Sequence, residues 1–198
     1  MSMTEDPAEQ SLAETTIVSS RDVEEHLEMA DLVPTIEAAF AAYENGTAQM
    51  PPKSYVDLPQ YNGDFRSMPA YLQTDDWQAA GIKWVNVHPD NPDQFALPTV
   101  MGTLVYSDPR NGFPLAVMDA TKLTMKRTGA AAAVATDHLA IPEASTLGII
   151  GAGVQSYSQL EAISEIRPIE TVVISDLDED RIERFIQAFE DDFEIRSG

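Results

Sequence analysis

The stretch from Thr146 to Asp176, TLGIIGAGVQSYSQLEAISEIRPIETVVISD, limits the fold of this chain more than any other. Thr146 to Ile150 is a short apolar run that reads as a strand, and Thr171 to Ser175 reads as a second. Between them, Gly151, Gly153 and Ser156 fill the small-residue positions of a G-x-G-x-x-G/A turn that opens a helix. Small residues there permit a tight turn and let the backbone approach a pyrophosphate at the helix N-terminus. Ser156 departs from the usual Gly or Ala. Asp176 closes the second strand 25 positions after Gly151, near the place where an acidic side chain meets a ribose 2′-hydroxyl. Leu177 and Asp178 follow rather than Arg, which favours NAD over NADP. Strand, turn, helix, strand and terminal acid in register predict a βαβ unit that binds a dinucleotide.

A chain of 198 residues with 43% apolar content can bury one good core or two small ones. The absence of Cys excludes disulfides, thiolate catalysis and Cys-based metal sites. His88 and His138 lack a second His or carboxylate at ligand spacing, so no metal is expected. The formal charge of −21 argues against nucleic acid and anionic membranes, both of which need a positive footprint. No segment approaches a membrane span, and Met1 to Thr16 is too acidic for a signal or transit peptide, so a soluble, cytoplasmic protein is expected. A negative excess of this size resembles the proteins of halophiles that keep high internal salt, which screens self-repulsion.

The few bases are unevenly placed. Between residues 50 and 142 there are seven Lys or Arg against nine Asp and no Glu, and all four lysines of the chain lie there. The same region is built of short β segments, Tyr55 to Leu58, Phe65 to Leu72, Gly81 to His88, Thr99 to Tyr106 and Phe113 to Met118, the last two joined by an Asp108-Pro109-Arg110-Asn111-Gly112 hairpin turn. Alternation places Arg66 on one face with Met68, Ala70 and Leu72, and Lys83 with Val85 and Val87. An unpaired charge on an apolar face is costly, so something anionic should meet each cation. For Lys53, Arg66 and Lys83 two readings stand side by side. They make structural ion pairs with nearby Asp residues, or they hold an anion such as a substrate carboxylate, which suits a bidentate Arg. Lys83, if desolvated, would have a lowered pKa and could act as an acid or base.

The remainder reads as support. Met1 to Thr16 is an acidic tail, and Ile17 and Val18 form a short strand. Ser19 with Asp22 resembles a capping box for a helix through Met29; a second helix from about Leu32 ends at Asn45-Gly46. Thr121 to Leu139 is a long helix whose first half carries Lys122, Lys126, Arg127 and Thr128, groups able to reach a diphosphate. Residues 178 to 190 form an amphipathic helix with Ile182, Phe185, Ile186 and Phe189 on its apolar face. Only two strands of the dinucleotide unit are evident, against about six in a complete one, so the chain reads as the N-terminal part of a longer enzyme.

The blocks MPPKSYVDL, GDFRSMPAYL, AGIKWVNVHPDNP, LPTVMGTLVYSDPRNGFPLAVMDAT, KRTGAAAAVATDHLA and GIIGAGVQSYSQLEAI, in this order, resemble the ornithine cyclodeaminase/mu-crystallin family, most closely its archaeal alanine dehydrogenase branch. The resemblance runs over about residues 17 to 198. It implies an α/β chain in which an α+β domain over 17–120 binds substrate and pairs subunits into a homodimer. After the 1–16 tail and that domain, 121–198 would be the first part of a Rossmann NAD domain. It further implies that Lys53 and Arg66 hold the substrate carboxylate, that Lys83 is the catalytic lysine and orients substrate, and that Arg127 and Thr128 contact the diphosphate. Gly151, Ala152, Gly153, Val154 and Gln155 would form the phosphate turn, with Asp176 at the ribose. Phe65-Arg66-Ser67 replaces the acidic residue that cyclodeaminases carry before Met-Pro, which favours an amino-acid dehydrogenase, alanine its expected substrate and a 2-oxo acid its product. The family's catalytic aspartate and later nicotinamide contacts lie beyond the equivalent of Gly198. Ornithine cyclodeamination to proline and ammonia, cyclic ketimine reduction and non-catalytic binding of a small molecule are the alternatives.

Overall fold

The computed structural model describes residues 14–198, so most of the expected acidic tail lies outside the described residues. From Thr16 the chain alternates between strands and helices of two kinds. β1 (Thr16–Val18) is followed by α1 (Ser20–His26) and α2 (Met29–Glu44). Ser19 caps α1 through the capping box with Asp22. That helix stops at His26, short of Met29, because Leu27 leaves helical geometry and its carbonyl accepts from Lys126 Nζ at 2.9 Å. α2 begins three residues before the apolar periodicity suggested and tolerates Pro34 inside its early turns.

Six strands then build an antiparallel region. β2 (Ala48–Gln49) and β3 (Ser54–Leu58) both pair with β4 (Gly63–Gln73), at its end and its start respectively. β5 (Gln78–Val87), β6 (Val100–Ser107) and β7 (Pro114–Asp119) follow, and β1 adds in parallel to β7. A 3-10 turn over Pro59–Tyr61 and the short α3 (Asn91–Phe95) fill connections that the sequence alone leaves as loop. The turn before β7 forms as its residues demand: Asp108 accepts from the Arg110 backbone and guanidinium and from Asn111, and Gly112 takes φ +77.

Register sorts this sheet into two unlike faces. One row crosses it as Tyr55, Arg66, Val85 and Gly102, and the next as Met68, Lys83, Leu104 and Met118. The alternation that places Arg66 and Lys83 on one apolar face is therefore seen in the pairing itself. On the opposite face runs a row of Ile17, Val117, Val105, Ile82 and Pro69. That second face is open: Ile17 is 74% exposed, Trp84 45% and Ile82 38%, and Phe65 stacks on Trp84 with ring centroids 5.2 Å apart.

α4 (Thr121–Leu139) leaves β7 and joins the two halves of the molecule. Its start is fixed by Asp119, whose Oδ1 accepts from the Thr121 and Lys122 amides, both at 3.0 Å. Beyond it come β8 (Thr146–Ile150), α5 (Val154–Ile166), β9 (Thr171–Ser175), α6 (Glu179–Phe189) and β10 (Glu194–Ser197). β8, β9 and β10 form a parallel sheet with β9 in the middle. The unit thus has three strands where two were expected. Glu194-Ile195-Arg196-Ser197 carries one apolar residue among polar ones, too little pattern to declare a strand, and it forms because β9 offers a free edge.

Two buried clusters hold these parts. Met29, Leu32 and Val33 of α2 meet Ala130, Ala133 and Val134 of α4 and Ala162 and Ile163 of α5. Behind them Ile149, Leu160, Val172, Ile174 and Phe185 fill the space between the parallel sheet, α5 and α6. α4 and α5 approach closely through Gly129, where an added Cβ would lie 2.1 Å from the Ser158 carbonyl oxygen. Further along both helices Arg167 pairs with Asp137, so the two run in the same direction. Among the described residues no helix is long and apolar enough to cross a membrane.

Candidate functional site

The three sequence-selected cations of the antiparallel sheet meet different fates. Arg66 is held by Asp64, two residues earlier on the same face, through Nε to Oδ1 at 2.6 Å and Nη2 to Oδ2 at 2.8 Å. Its guanidinium also lies 5.4 Å from the centre of the Tyr55 ring. The bidentate carboxylate raises the Arg66 pKa and lowers that of Asp64. For Arg66 the ion-pair reading therefore describes the structure, with Nη1 left over for another anion.

Lys83 is different. It is partly buried on β5, and no carboxylate lies within 4 Å of its amine among the described residues. Its hydrogen bond goes to a neutral acceptor, Thr124 Oγ1 on α4, at 3.2 Å. Burial, then the charges of Arg127 and Lys53, push its pKa down from 10.5 to about 8. Lys53, on the exposed segment leading into β3, and Arg127, on α4, are thus brought into one electrostatic neighbourhood with Lys83. Three cations in one neighbourhood, with no acid paired to Lys83 or Arg127 among the described residues, favour an anion, since a carboxylate ligand would supply the missing charge.

The four cationic or hydroxyl groups at the start of α4 separate as well. Lys122 pairs with Glu24 at 2.7 Å and Lys126 donates to the Leu27 carbonyl, so both turn toward α1 and not toward a phosphate. Arg127 keeps no carboxylate partner among the described residues, and burial lowers its pKa. Thr128 donates to the Thr124 carbonyl at 2.7 Å. Because α4 and α5 run in the same direction, Arg127 and Thr128, just before Gly129, stand at the end of the helix pair where α5 begins.

That end is the glycine turn. β8 finishes at Ile150, Gly151 takes φ +98, and Gly153 is the N-cap of α5 with no side chain capping it. The first turn of α5 carries no acid, so the amides of Val154 and Gln155 and the positive end of the helix remain available to an anion. A Cβ built on Gly151 or Gly153 would meet nothing within 4 Å, which leaves an open cradle of the kind a pyrophosphate needs. Ser156, the substituted third position, is 4% exposed and donates to the Gly153 carbonyl at 2.6 Å, so its hydroxyl is satisfied and tightens the turn. Asp176 ends β9 and reaches across to the turn. One oxygen accepts from the Asp178 amide at 2.9 Å and the other from the Ala152 amide at 2.6 Å, and these bonds lower its pKa. The residues present fit a dinucleotide: free amides and open glycines for the phosphates, Arg127 nearby and an ionised acid at the strand end. Thr124 and Asp119 were missed from the sequence. Thr124 lies one helical turn before Arg127 and Thr128, a spacing that marks it as their neighbour on one helix face.

Outside these parts, the histidines have structural partners. His88 hydrogen-bonds Asn86 at 3.0 Å and His138 meets Glu37 at 2.8 Å.

An alanine dehydrogenase from Archaeoglobus fulgidus is 44% identical over 178 residues, covering 90% of this chain and 53% of that protein. The solved structure of an archaeal alanine dehydrogenase dimer with bound NAD superposes with a TM-score of 0.86 at 42% identity, covering 93% of this chain and 56% of that one. The Thermococcus litoralis Delta(1)-pyrroline-2-carboxylate reductase in complex with NADH and L-proline gives 0.87 at 34% identity, over 93% and 57% respectively. The chain spans about half the length of the curated relatives it matches. The profile of one family covers residues 13–198, and the chain belongs to it: the Ornithine cyclodeaminase/mu-crystallin family.

Proposed function

We propose that this chain carries the substrate pocket and the first half of the cofactor site of an NAD-dependent amino-acid oxidoreductase, which converts alanine to pyruvate and ammonia. The observation that carries this reading is Lys83: a half-buried amine with a pKa near 8, faced by Lys53 and Arg127, on a sheet joined by one helix to a glycine turn. Support for alanine comes from the 44% identity to the archaeal alanine dehydrogenase. Residues 17–120 would form the substrate-binding and dimerisation domain, and 121–198 the start of the NAD-binding one, with α4 as their joint.

In this reading Lys53 and the remaining Nη1 of Arg66 hold the substrate carboxylate, and Asp64 holds the guanidinium in place. That grip sets the substrate Cα at a fixed height above the apolar face. Lys83, with its pKa close to ambient pH, takes a proton from the substrate amine and later moves protons between attacking water and departing ammonia. Arg127, Thr128 and the Gly151-Ala152-Gly153-Val154-Gln155 turn would hold the diphosphate and Asp176 the ribose. NAD, when bound, supplies the hydride acceptor for oxidation at Cα. The open apolar face around Trp84 and Ile82 would pair with a second copy, giving a homodimer.

A second reading, reduction of a cyclic imine, is favoured by the 0.87 TM-score to the NADH-bound pyrroline carboxylate reductase. NADH fluorescence titration of the 198-residue chain, followed by absorbance at the NADH band with alanine, ornithine or a cyclic imine, separates the readings. Saturable NADH binding and alanine-dependent NADH accumulation are expected. Ornithine turnover without net NADH would replace the proposal by cyclodeamination, and NADH consumption with a cyclic imine alone would replace it by imine reduction. Failure to bind NADH would remove the cofactor reading for this chain.

A further inference from the structure

Several helical hydroxyls in this protein bond back into the carbonyls of their own helix. Thr128, Thr136 and Ser164 each donate to the carbonyl four residues earlier, at 2.7, 2.8 and 2.7 Å. This local bond is the usual resting place of a Ser or Thr inside a helix. Thr124 makes no such bond among the described residues; its Oγ1 instead accepts from Lys83 Nζ across the gap between α4 and β5. We infer that Thr124 is the positioning residue for Lys83, fixing where its amine points relative to Lys53 and Arg127.

The acceptor is itself held on a rigid frame. The Thr124 amide donates to Ala120 O at 2.9 Å, its carbonyl accepts from Thr128, and Ala120, fully buried, donates to Gly102 O on β6 at 2.9 Å. With Asp119 capping the helix start, Thr124 cannot shift without moving the junction of sheet and helix. The chain of bonds is continuous from β6 through the α4 start to the amine on β5. Thr124 also shares a helix face with Arg127 and Thr128, three and four residues on. The residue that aims the lysine and the residues read as diphosphate contacts are thus parts of one surface. A long lysine side chain has ample rotamer freedom, and a single well-placed acceptor removes much of it. A hydroxyl suits this task better than a carboxylate. It holds either protonation state of the amine, whereas an acid would bind the ammonium tightly and prevent it from giving up its proton.

This inference rests on the reading of Lys83 as the working amine, and its test is arranged to stand apart from turnover. Only four lysines exist in the chain, so carbon-13 labelling of lysine gives four Cε resonances by NMR, and Lys83→Arg identifies one of them by its disappearance. The 198-residue chain is titrated alongside Thr124→Val, Thr124→Ala and Thr124→Ser. In the parent protein the Lys83 resonance should titrate at about 8. Loss of the acceptor in Thr124→Val should lower that midpoint by about one pH unit, because the ammonium loses the stronger of the two bonds. Thr124→Ser should restore it, and the resonances of Lys53, Lys122 and Lys126 should match the parent in every variant. Thr124→Ala carries the same expectation with less bulk, should the valine methyl disturb the fold, which far-ultraviolet circular dichroism reports. An unmoved Lys83 midpoint in a folded Val or Ala variant overturns the inference. Full turnover by Lys83→Arg beside a shifted midpoint would instead remove the catalytic role of Lys83 and leave its positioning intact.

Discussion

The two proposed sites, one at each sheet, draw on opposite kinds of chemistry. On the antiparallel sheet the proposed chemistry resides in side chains, of which Arg66 is set by Asp64 and Lys83 by Thr124. At the parallel sheet it resides in the backbone: Gly151 at φ +98, an uncapped Gly153 and the free amides of the α5 start. A side-chain site fails when a residue changes type. A backbone site fails when a turn can no longer be made. The two kinds meet along α4, which carries Thr124 toward the antiparallel sheet and Gly129 toward α5.

The widest break in this comparison should come from their shared joint. Gly129→Ala places a methyl 2.1 Å from the Ser158 carbonyl, a backbone atom that cannot step aside, so α4 and α5 must separate. We expect a loss of about 3 kcal/mol in urea unfolding, with both halves weakened together. An unfolding midpoint equal to the parent's would show that the two helices move apart freely and that the sheets are not coupled through Gly129.

Gly151→Ala should strike the backbone site alone. A side chain at φ +98 costs about 1–3 kcal/mol, and the turn relieves it by shifting the amides that would face a phosphate. NADH affinity by fluorescence titration should fall about tenfold or more, while the Lys83 titration stays in place. Equal affinity would mean that the phosphate turn does not depend on this conformation.

Much of this division was legible in the sequence because it rests on local rules. The α4 range, Thr121–Leu139, matches the expectation at both ends, since alanine-rich helices are declared by their own residues. The glycine turn and the strands around it follow from spacing. What escaped was decided at a distance. β10 forms because β9 offers an edge, α1 ends where Lys126 reaches Leu27, and Lys122 and Lys126 turn away from the phosphate end because α1 lies beside them. Strand alternation, by placing Arg66 and Lys83 on apolar faces, called for partners, yet only the folded structure distinguishes Asp64 from Thr124 as the one each found.

Lys83→Met should sharpen the side-chain half. Its folded pKa near 8 lies below the unfolded 10.5, so between these values the unfolded chain binds the extra proton and stability rises with pH. Below about 8 both states are charged and the folded protein carries the full cost of the desolvated ammonium. Removing the charge should therefore stabilise the chain at pH 7 by on the order of 1–2 kcal/mol, after allowance for its partial exposure, and the gain should shrink as pH climbs toward 10. A variant no more stable than the parent at pH 7 would mean that Lys83 is better solvated than its position indicates.

The smallest effect is the most discriminating, because it compares two cations on the same helix. Lys122 and Arg127 lie five residues apart, and charge counting alone treats them alike. Lys122, however, spends its charge on Glu24 across an ion pair whose side chains are 41% and 47% exposed, a geometry that contributes about 0.5 kcal/mol. Arg127 has no acid partner among the described residues, is solvent-exposed and stands at the α5 end of the helix pair, so its charge is free to meet an anion. Lys122→Met should therefore lower stability slightly and leave NADH affinity within a factor of about two. Arg127→Met should leave stability nearly unchanged and lower NADH affinity about tenfold, the worth of one charge-assisted bond. Equal affinity losses in the two variants would show that α4 acts on the cofactor only through its overall positive charge; unequal losses would show that α1, by occupying Lys122 and Lys126, selects which cation of the helix is left to serve the backbone site.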